Sequence, residues 1–108
     1  MASELLKVGL FPTVSDSEVK LIDGASGKSY VVLSITICET AGAAETFDLY
    51  VDDGDGGTDH YIYKTQALGA NETFEHTSKI VLNANDMLGM IASSGDLDVV
   101  VSYLEQTL

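Results

Sequence analysis

Alternating apolar and polar side chains over residues 29–40 form the strongest pattern in this chain. The apolar row there comprises Val31, Leu33, Ile35 and Ile37. A period of two residues is typical of a β-strand that buries one face. The same period returns over residues 45–51 and 97–103. The sequence therefore predicts an all-β protein.

Clusters of Gly, Asn, Asp and Ser interrupt the chain at short intervals and separate up to eight strand-like segments. The predicted strands cover residues 7–11, 18–22, 29–40, 45–51, 60–68, 72–82, 87–93 and 97–105. This spacing favours an antiparallel β-sandwich, immunoglobulin-like or jelly-roll-like, with seven or eight strands. The one helix candidate, residues 3–7, is too short to be stable alone.

A length of 108 residues fits one compact core. We therefore expect an N-terminal arm or edge strand over residues 1–16 and a single β-sandwich domain over residues 17–108. No window approaches the roughly 18 apolar residues of a membrane span, so we expect no membrane partner.

Several predicted strands carry apolar residues on both faces, although a sandwich strand needs only one. A second apolar face indicates that part of a sheet is covered twice, by the N-terminal segment or by a neighbouring subunit. The other interpretation is that the same side chains close the core of the single chain, and the sequence leaves both open. The residues expected at a subunit interface are Leu5, Leu6, Leu10, Phe11, Tyr30, Val32, Val100 and Leu104.

The charge of the chain limits its partners. Seventeen acidic residues accompany five lysines and no arginine, which gives a formal net charge of −12. Direct binding of nucleic acid is therefore not expected, because such proteins neutralise phosphates with basic side chains. A charged partner would be basic or bridged by a cation. Alternatively, the acidity only keeps the protein soluble before assembly.

The acidic segment 52–59 superficially matches a calcium loop. Asp53, Asp55 and Asp59 would be its oxygen ligands. The match fails at the fifth position, which is Gly57, and at the twelfth, where Lys64 replaces the bidentate glutamate. A solvated hairpin loop is the favoured interpretation, and no metal or cofactor is expected.

Other reactive side chains give no enzymatic pattern. His60 and His76 lack a His, Cys or Asp at metal-ligand spacing. Cys38 has no partner for a disulfide and lies within the strongest strand pattern, which favours a buried structural cysteine. No nucleophile-elbow or phosphate-loop motif occurs. The sequence therefore predicts a protein that is not an enzyme.

The order of the segments resembles that of small virion structural proteins of tailed bacteriophages over roughly residues 20–107. In those proteins a Gly-Lys turn precedes a strand similar to residues 33–40, although Glu39 stands where Asn is usual. The further similar motifs are Leu49-Tyr50-Val51, Tyr61-Ile62-Tyr63-Lys64, Ala70-Asn71-Glu72-Thr73, residues 80–88, and the ending with Val99, Val101, Ser102, Tyr103 and Glu105.

This resemblance implies a virion protein that is assembled in the host cytoplasm, with capsid decoration or cement protein as the expected role. Its partners would be the phage major capsid protein and further copies of itself, with a trimer suited to decoration. The interface residues above would then contact either partner. A position at the head-tail connection or neck, in the tail or on a fibre agrees equally with the resemblance.

A binding module for glycans or cell surfaces is the alternative from a different functional class. Small sandwiches often bind ligands at their loop ends. Tyr50, Tyr61 and Tyr63 would form its stacking platform, although the chain has no tryptophan.

Overall fold

The computed structural model describes residues 3–54 and 57–108 and forms a sandwich of two antiparallel sheets. The nine strands are β1 (Ser3–Val14), β2 (Val19–Asp23), β3 (Lys28–Glu39), β4 (Glu45–Asp52), β5 (Asp59–Leu68), β6 (Thr73–His76), β7 (Ile80–Leu82), β8 (Met87–Ala92) and β9 (Leu97–Thr107). The prediction of an all-β antiparallel sandwich is confirmed. Within the described residues, no helix has the length and apolar character needed to cross a membrane.

The two sheets differ in size and connection. The larger sheet has five strands in the order β1-β9-β3, with β6 and β7 both pairing with the far edge of β3. The smaller sheet has the order β2-β8-β4-β5. The N-terminal strand β1 is therefore an edge strand of the larger sheet.

The N-terminal segment is a strand, so the helix candidate over residues 3–7 is wrong. Pairing with β9 along nearly its whole length, from Ser3 opposite Thr107 to Val14 opposite Leu97, satisfies backbone groups on one side of β1. A helix of five residues cannot satisfy its terminal backbone groups internally.

The predicted strand over residues 72–82 is two strands, β6 and β7. The reason is a β-bulge in β3, where the register against β9 shifts between Val32 and Ser34. β7 pairs with residues 30–32 on one side of this bulge, and β6 pairs with residues 35–38 on the other. A bulge bends its strand, so one straight partner cannot follow both halves.

The same bulge changes which side chains of β3 enter the core. Tyr30 and Val32 are buried together with Ile35 and Ile37, whereas Val31 is only half-buried on the opposite face. The extra residue at the bulge shifts the alternation by one position. Tyr30 and Val32 are therefore core residues, which corrects their assignment to a subunit interface.

Phe11 also belongs to the chain's own packing. It is half-buried against the core cluster, and its ring lies across Gly9, where an added Cβ would come within 2.8 Å of the ring. The glycine thus leaves the space that the ring occupies. Phe11 therefore contributes to the packing of its own chain, and whether its exposed part also contacts a partner stays a prediction.

Two buried carboxylates fix the loops at one end of the sandwich. Glu39 accepts hydrogen bonds from the backbone N–H groups of residues 41–43 and of Asn71, at 2.8 to 3.1 Å. The bond from Asn71, with those from residues 41–43, outweighs burial and holds the pKa of Glu39 below its ordinary value. Glu45 likewise accepts bonds from Ser93 and Ser94. Glu39 therefore ties two loops together.

Candidate functional site

Apolar side chains cluster on the solvent side of the five-stranded sheet, around the polar residues Ser34, Thr36 and Ser102, and we call this surface the outer apolar face. Register places its residues on four neighbouring strands, β1, β9, β3 and β7. The face consists of Leu6, Val8, Leu10, Val31, Leu33, Val81, Val100 and Leu104.

Exposure of these side chains is high for apolar residues. Leu6 is 78% exposed, Leu10 68%, Val81 65% and Val8 58%. Single exposed apolar residues are ordinary, but a contiguous group on one sheet face marks an interaction surface in soluble proteins. The geometry of the chain alone therefore leaves this face uncovered.

Cross-strand contacts make the outer apolar face continuous. Leu104 lies directly opposite Leu6 on one side and Val31 on the other, and Val31 is opposite Val81. Opposed side chains in a sheet have Cβ atoms about 4.5–5.5 Å apart. The row therefore runs across the whole width of the sheet from β1 to β7.

Two shallow grooves break the flatness of the outer apolar face. The larger, about 400 Å³, is lined by Leu6, Val8, Leu33 and Ser102 together with Lys7 and Tyr103. The second, about 280 Å³, lies beside Leu10, Pro12 and Val100. Leu33 is the extra residue of the β3 bulge, so the bulge supplies a wall of the larger groove.

The rim of the outer apolar face is acidic. Glu4, Glu75 and Asp98 are exposed at strand positions of this face, at its periphery. On the described strands of this sheet, Lys7 and Lys28 point to the core side, and the lysine beside the face is Lys79, exposed just before β7. A partner that covers the face would match it with an apolar centre and a basic rim.

Those two lysines hold β1 in place from the core side. Glu105 is buried, and its carboxylate oxygens lie 3.2 Å from the Lys7 Nζ and 3.2 Å from the Lys28 Nζ. Burial opposes ionisation of Glu105, but Lys28 and Lys7 outweigh it and keep its pKa below the ordinary value. The ion triad thereby fastens the strand that carries Leu6, Val8 and Leu10.

The sequence located part of this surface. It pointed to Leu6, Leu10, Val100 and Leu104, all of which lie on the outer apolar face. Leu5 is exposed on the other side of β1, beside Glu105. Whether these residues contact a partner stays a prediction.

Other members of the face were missed. Val8 alternates with Leu6 and Leu10 at the two-residue period of a strand. The pattern was missed because residues 3–7 were considered as a helix. Leu33 and Val31 were assigned to the core because the bulge has no clear mark in the sequence. Val81 was part of a predicted strand, but its exposure depends on pairing with β3.

The acidic hairpin loop uses its carboxylates internally. Asp53 accepts a hydrogen bond from the Thr58 N–H at 2.9 Å and has its other oxygen 3.0 Å from the His60 Nε2. The hydrogen bond with His60 lowers the pKa of Asp53. Asp59 begins β5, and Asp55 lies outside the described residues. Across the described ranges, no group of three or more His, Cys, Asp and Glu side chains could hold a metal ion.

The remaining reactive side chains have separate surroundings. His76 is buried with its Nδ1 2.8 Å from the Tyr63 hydroxyl, whereas His60 is exposed beside Asp53. Cys38 is half-buried on the outer side of β3 rather than fully buried as expected.

The proposed tyrosine platform is not formed by the three residues together. β5 has a register shift opposite Leu49 and Tyr50, so Tyr61 pairs with Tyr50 on the outer side while Tyr63 pairs with Leu49 on the core side. Tyr63 packs against Phe74 with ring centroids 5.0 Å apart. Only Tyr61 is substantially exposed, at 47%.

Comparison with known proteins yields similarity of structure alone. No protein-family model matches the chain, and no curated protein matches its sequence. Among solved structures, a chain of the Bacillus endospore appendages, described as disulfide-linked pili, matches with a TM-score of 0.54 and 12% identity. This match covers 100% of the chain and 91% of the pilus chain.

Viral capsids give similar matches. A chain of the acid-stable capsid of Helicobacter pylori bacteriophage KHP30 has a TM-score of 0.50 and 15% identity, covering 97% of this chain and 92% of that one. VP2 of the infectious bursal disease virus subviral particle has a TM-score of 0.51 and 12% identity over 99% of this chain. The chain spans only 33% of the VP2 chain. At these identities the matches establish the fold, a β-sandwich that also occurs in viral capsid proteins.

Proposed function

We propose that this protein is a non-enzymatic structural component of a virus particle, a capsid decoration or cement protein located in the virion after assembly in the host cytoplasm. The observation that carries the proposal is the outer apolar face, where the described residues leave Leu6, Leu10 and Val81 largely exposed. Burying such a surface stabilises a joint by roughly 25 cal/mol per Å² of apolar area, before the costs of association.

The acidic rim favours a partner other than an identical face. Two copies meeting face to face would bring Glu4, Glu75 and Asp98 of each copy together, and like charges at close range disfavour that arrangement. A major capsid protein with an apolar binding surface and a basic border would match the outer apolar face and its acidic rim.

Fold similarity is compatible with this role. The matching chain of the KHP30 capsid has nearly the same extent as this protein, since the match covers more than nine-tenths of both chains. A small sandwich is thus known as a complete chain within a phage capsid structure.

A fibre or tail position is the second candidate, favoured by the similarity to the endospore appendage chain over 91% of that chain. This position would use the same face between successive subunits of a filament. The single described cysteine, Cys38, is half-buried in β3.

Immunogold electron microscopy of particles from the encoding virus would test the proposal. Gold on the shells is expected for a decoration protein. Gold confined to tails, necks or fibres would replace the decoration role by the second candidate. Particles without gold, beside abundant free protein, would overturn the virion role altogether.

A rebinding assay would test the face itself. Val100→Asp places a charge beside Leu10 on the outer apolar face and should strongly weaken rebinding to particles stripped of the protein. Tyr61→Asp is the matched control, because Tyr61 is exposed on the opposite outer face of the sandwich. Equal rebinding by both folded variants would show that the outer apolar face is not the surface that binds the particle.

A further inference from the structure

The free edge of β1 differs from every other sheet edge in the described chain. β2, β6 and β7 have five, four and three residues. β5 is longer, but two register shifts interrupt it, and it carries Asp59, His60 and Lys64. Bulges, charges and shortness are the usual features that stop edge strands from pairing with other chains.

β1 has less of this protection, because its Lys7 is paired with Glu105 of the same chain, and Pro12 and the register shift after Phe11 lie near its end. It has twelve residues and runs in unbroken register against β9 from Ser3 to Phe11. Among the described strands none pairs with its other edge, so about every second residue directs its N–H and C=O groups outward. Leu5, Leu6 and Val8 are exposed along it. The strand is therefore a template for one more strand.

We propose that the occupant of this edge is β1 of a second copy, paired antiparallel across a two-fold axis at Val8. In this register Val8 lies opposite the partner's Val8, and Leu6 lies opposite the partner's Leu10. On the core side, Leu5 lies opposite the partner's Phe11, and Lys7 lies opposite the partner's Gly9. The pairing joins the two larger sheets into one of ten strands.

Side-chain chemistry selects this register. A shift by one residue in each copy, to a centre at Lys7, would place two lysines directly opposite each other, which destabilises a pair of strands. With the centre at Val8, each Lys7 keeps Glu105 of its own chain and lies opposite the partner's Gly9, which is covered by the partner's Phe11 ring, so no second charge opposes the lysine. Pro12, which cannot donate a backbone hydrogen bond, falls near the end of the pairing opposite Glu4.

The size of this joint fits a reversible dimer. Eleven paired residues extend about 36 Å, at about 3.3 Å each, along a sheet about 10 Å thick. An edge of this size buries about 700 Å² over both copies, which is in the range of weak, transient interfaces rather than standard ones. We therefore expect a weak dimer, with a dissociation constant in the micromolar range or above. This two-fold joint makes dimers rather than the trimer that a decoration role suggested.

The joint would also enlarge the outer apolar face. Because the axis is perpendicular to the sheet, Leu6, Val8 and Leu10 of both copies lie on the same side. The inference needs only the free protein, so it stands or fails separately from the virion role.

Cysteine cross-linking of the free protein would test the register. In a Cys38→Ser background, Val8→Cys should form a disulfide-linked dimer under mild oxidation, since directly opposed Cα atoms lie about 4.5–5.5 Å apart, within disulfide range. Val81→Cys, on the far edge of the same face, is the control and should remain monomeric. Equal cross-linking at both positions, or none at position 8, would overturn the proposal. Cross-linking through Lys7→Cys in preference to Val8→Cys would overturn the register.

Sedimentation of the unmodified sequence would test the dimer itself. We expect a species of twice 11.5 kDa that increases with protein concentration and is weakened roughly tenfold or more by Val8→Lys, but not by Val81→Lys. Raising the ionic strength from about 0.01 M to about 1 M shortens the Debye length from about 30 Å to about 3 Å and should strengthen the dimer, because each copy is strongly acidic. A protein that stays monomeric at every concentration and salt would refute the joint.

Discussion

The two outer faces of the sandwich both contain apolar groups, but only one is covered by the chain itself. On the four-stranded sheet, Tyr50 lies across Gly89 and is 4% exposed, and its hydroxyl donates a hydrogen bond to Glu18. Met87 on the same face is 1% exposed. On the five-stranded sheet, Leu6 and Val81 are mostly exposed.

The difference lies in the polar groups available beside each face. Lys64 lies 4.2 Å from the centre of the Tyr61 ring and 3.4 Å from Asp48, so ring and cation shield one another on the smaller sheet. The larger sheet keeps its lysines on the core side, around Glu105. A face that its own chain covers contributes to folding, whereas a face left bare is available for assembly.

The largest effect should follow from removing the cover over the smaller sheet. In Gly89→Ala the new Cβ would lie 2.6 Å from the Tyr50 ring, which its bond to Glu18 holds in place. The ring must then leave its position, and we expect the free energy of unfolding to fall by about 1–3 kcal/mol in urea titrations. No loss of stability would mean that Tyr50 does not cover this face.

The next effect depends on alkaline pH. Burial and the Glu18 carboxylate raise the pKa of Tyr50 above its ordinary value of 10.0. The neutral phenol is therefore favoured in the folded state. Its contribution to the free energy of unfolding is fully present below about pH 10 and is lost as pH rises toward the folded pKa. Urea midpoints measured at rising pH should fall more steeply for the natural sequence than for Tyr50→Phe. Parallel curves would contradict this assignment.

A smaller, local effect is expected at the ion triad under β1. Glu105→Gln removes the charge that holds Lys7 and Lys28, so amide exchange in β1 should accelerate while β4 and β8 keep their protection. In the natural sequence the pKa of Glu105 is lowered below its ordinary value of 4.5. The ionised carboxylate therefore contributes to the free energy of unfolding above pH 4.5, and this contribution is lost as pH falls through the folded pKa. Uniform acceleration across both sheets would show that Glu105 stabilises the whole fold instead.

The smallest effect on stability should come from the bare face. Leu6→Ser and Leu10→Ser change exposed side chains, so dilute monomeric protein should keep its free energy of unfolding within about 0.5 kcal/mol. The same variants should bind stripped particles less well. A loss of stability comparable to that of Gly89→Ala would mean that the chain covers both faces alike.

Alternation in the sequence identified the strands and much of the core. Ile35, Ile37 and Leu49 are fully buried, as their period of two indicated. Assignments failed where a strand contains an extra residue. Because of the bulge in β3, Val32 rather than Val31 enters the core. Because of the bulge in β5, Tyr61 and Tyr63 lie on opposite faces of the strand. A bulge depends on the pairing of distant strands, so a local pattern cannot reveal it.

The outer apolar face was only partly predictable for a related reason. Exposure of Val81 requires β7 to end the sheet, and the partial burial of Phe11 requires the space above Gly9. Both facts concern which neighbour is present or missing. Sequence gives the apolar character of these residues, but only the three-dimensional arrangement gives their surroundings.

The extra residue in β3 also sets the shape of the surface that a partner would meet. Without Leu33, residues 30–37 would alternate regularly and Tyr30, Val32, Ile35 and Ile37 would still enter the core. The strand would lose its bend and the larger groove would lose one wall. The curvature of this sheet can therefore change by deletion of a single codon while the hydrophobic core keeps its composition, which separates the evolution of surface fit from that of folding.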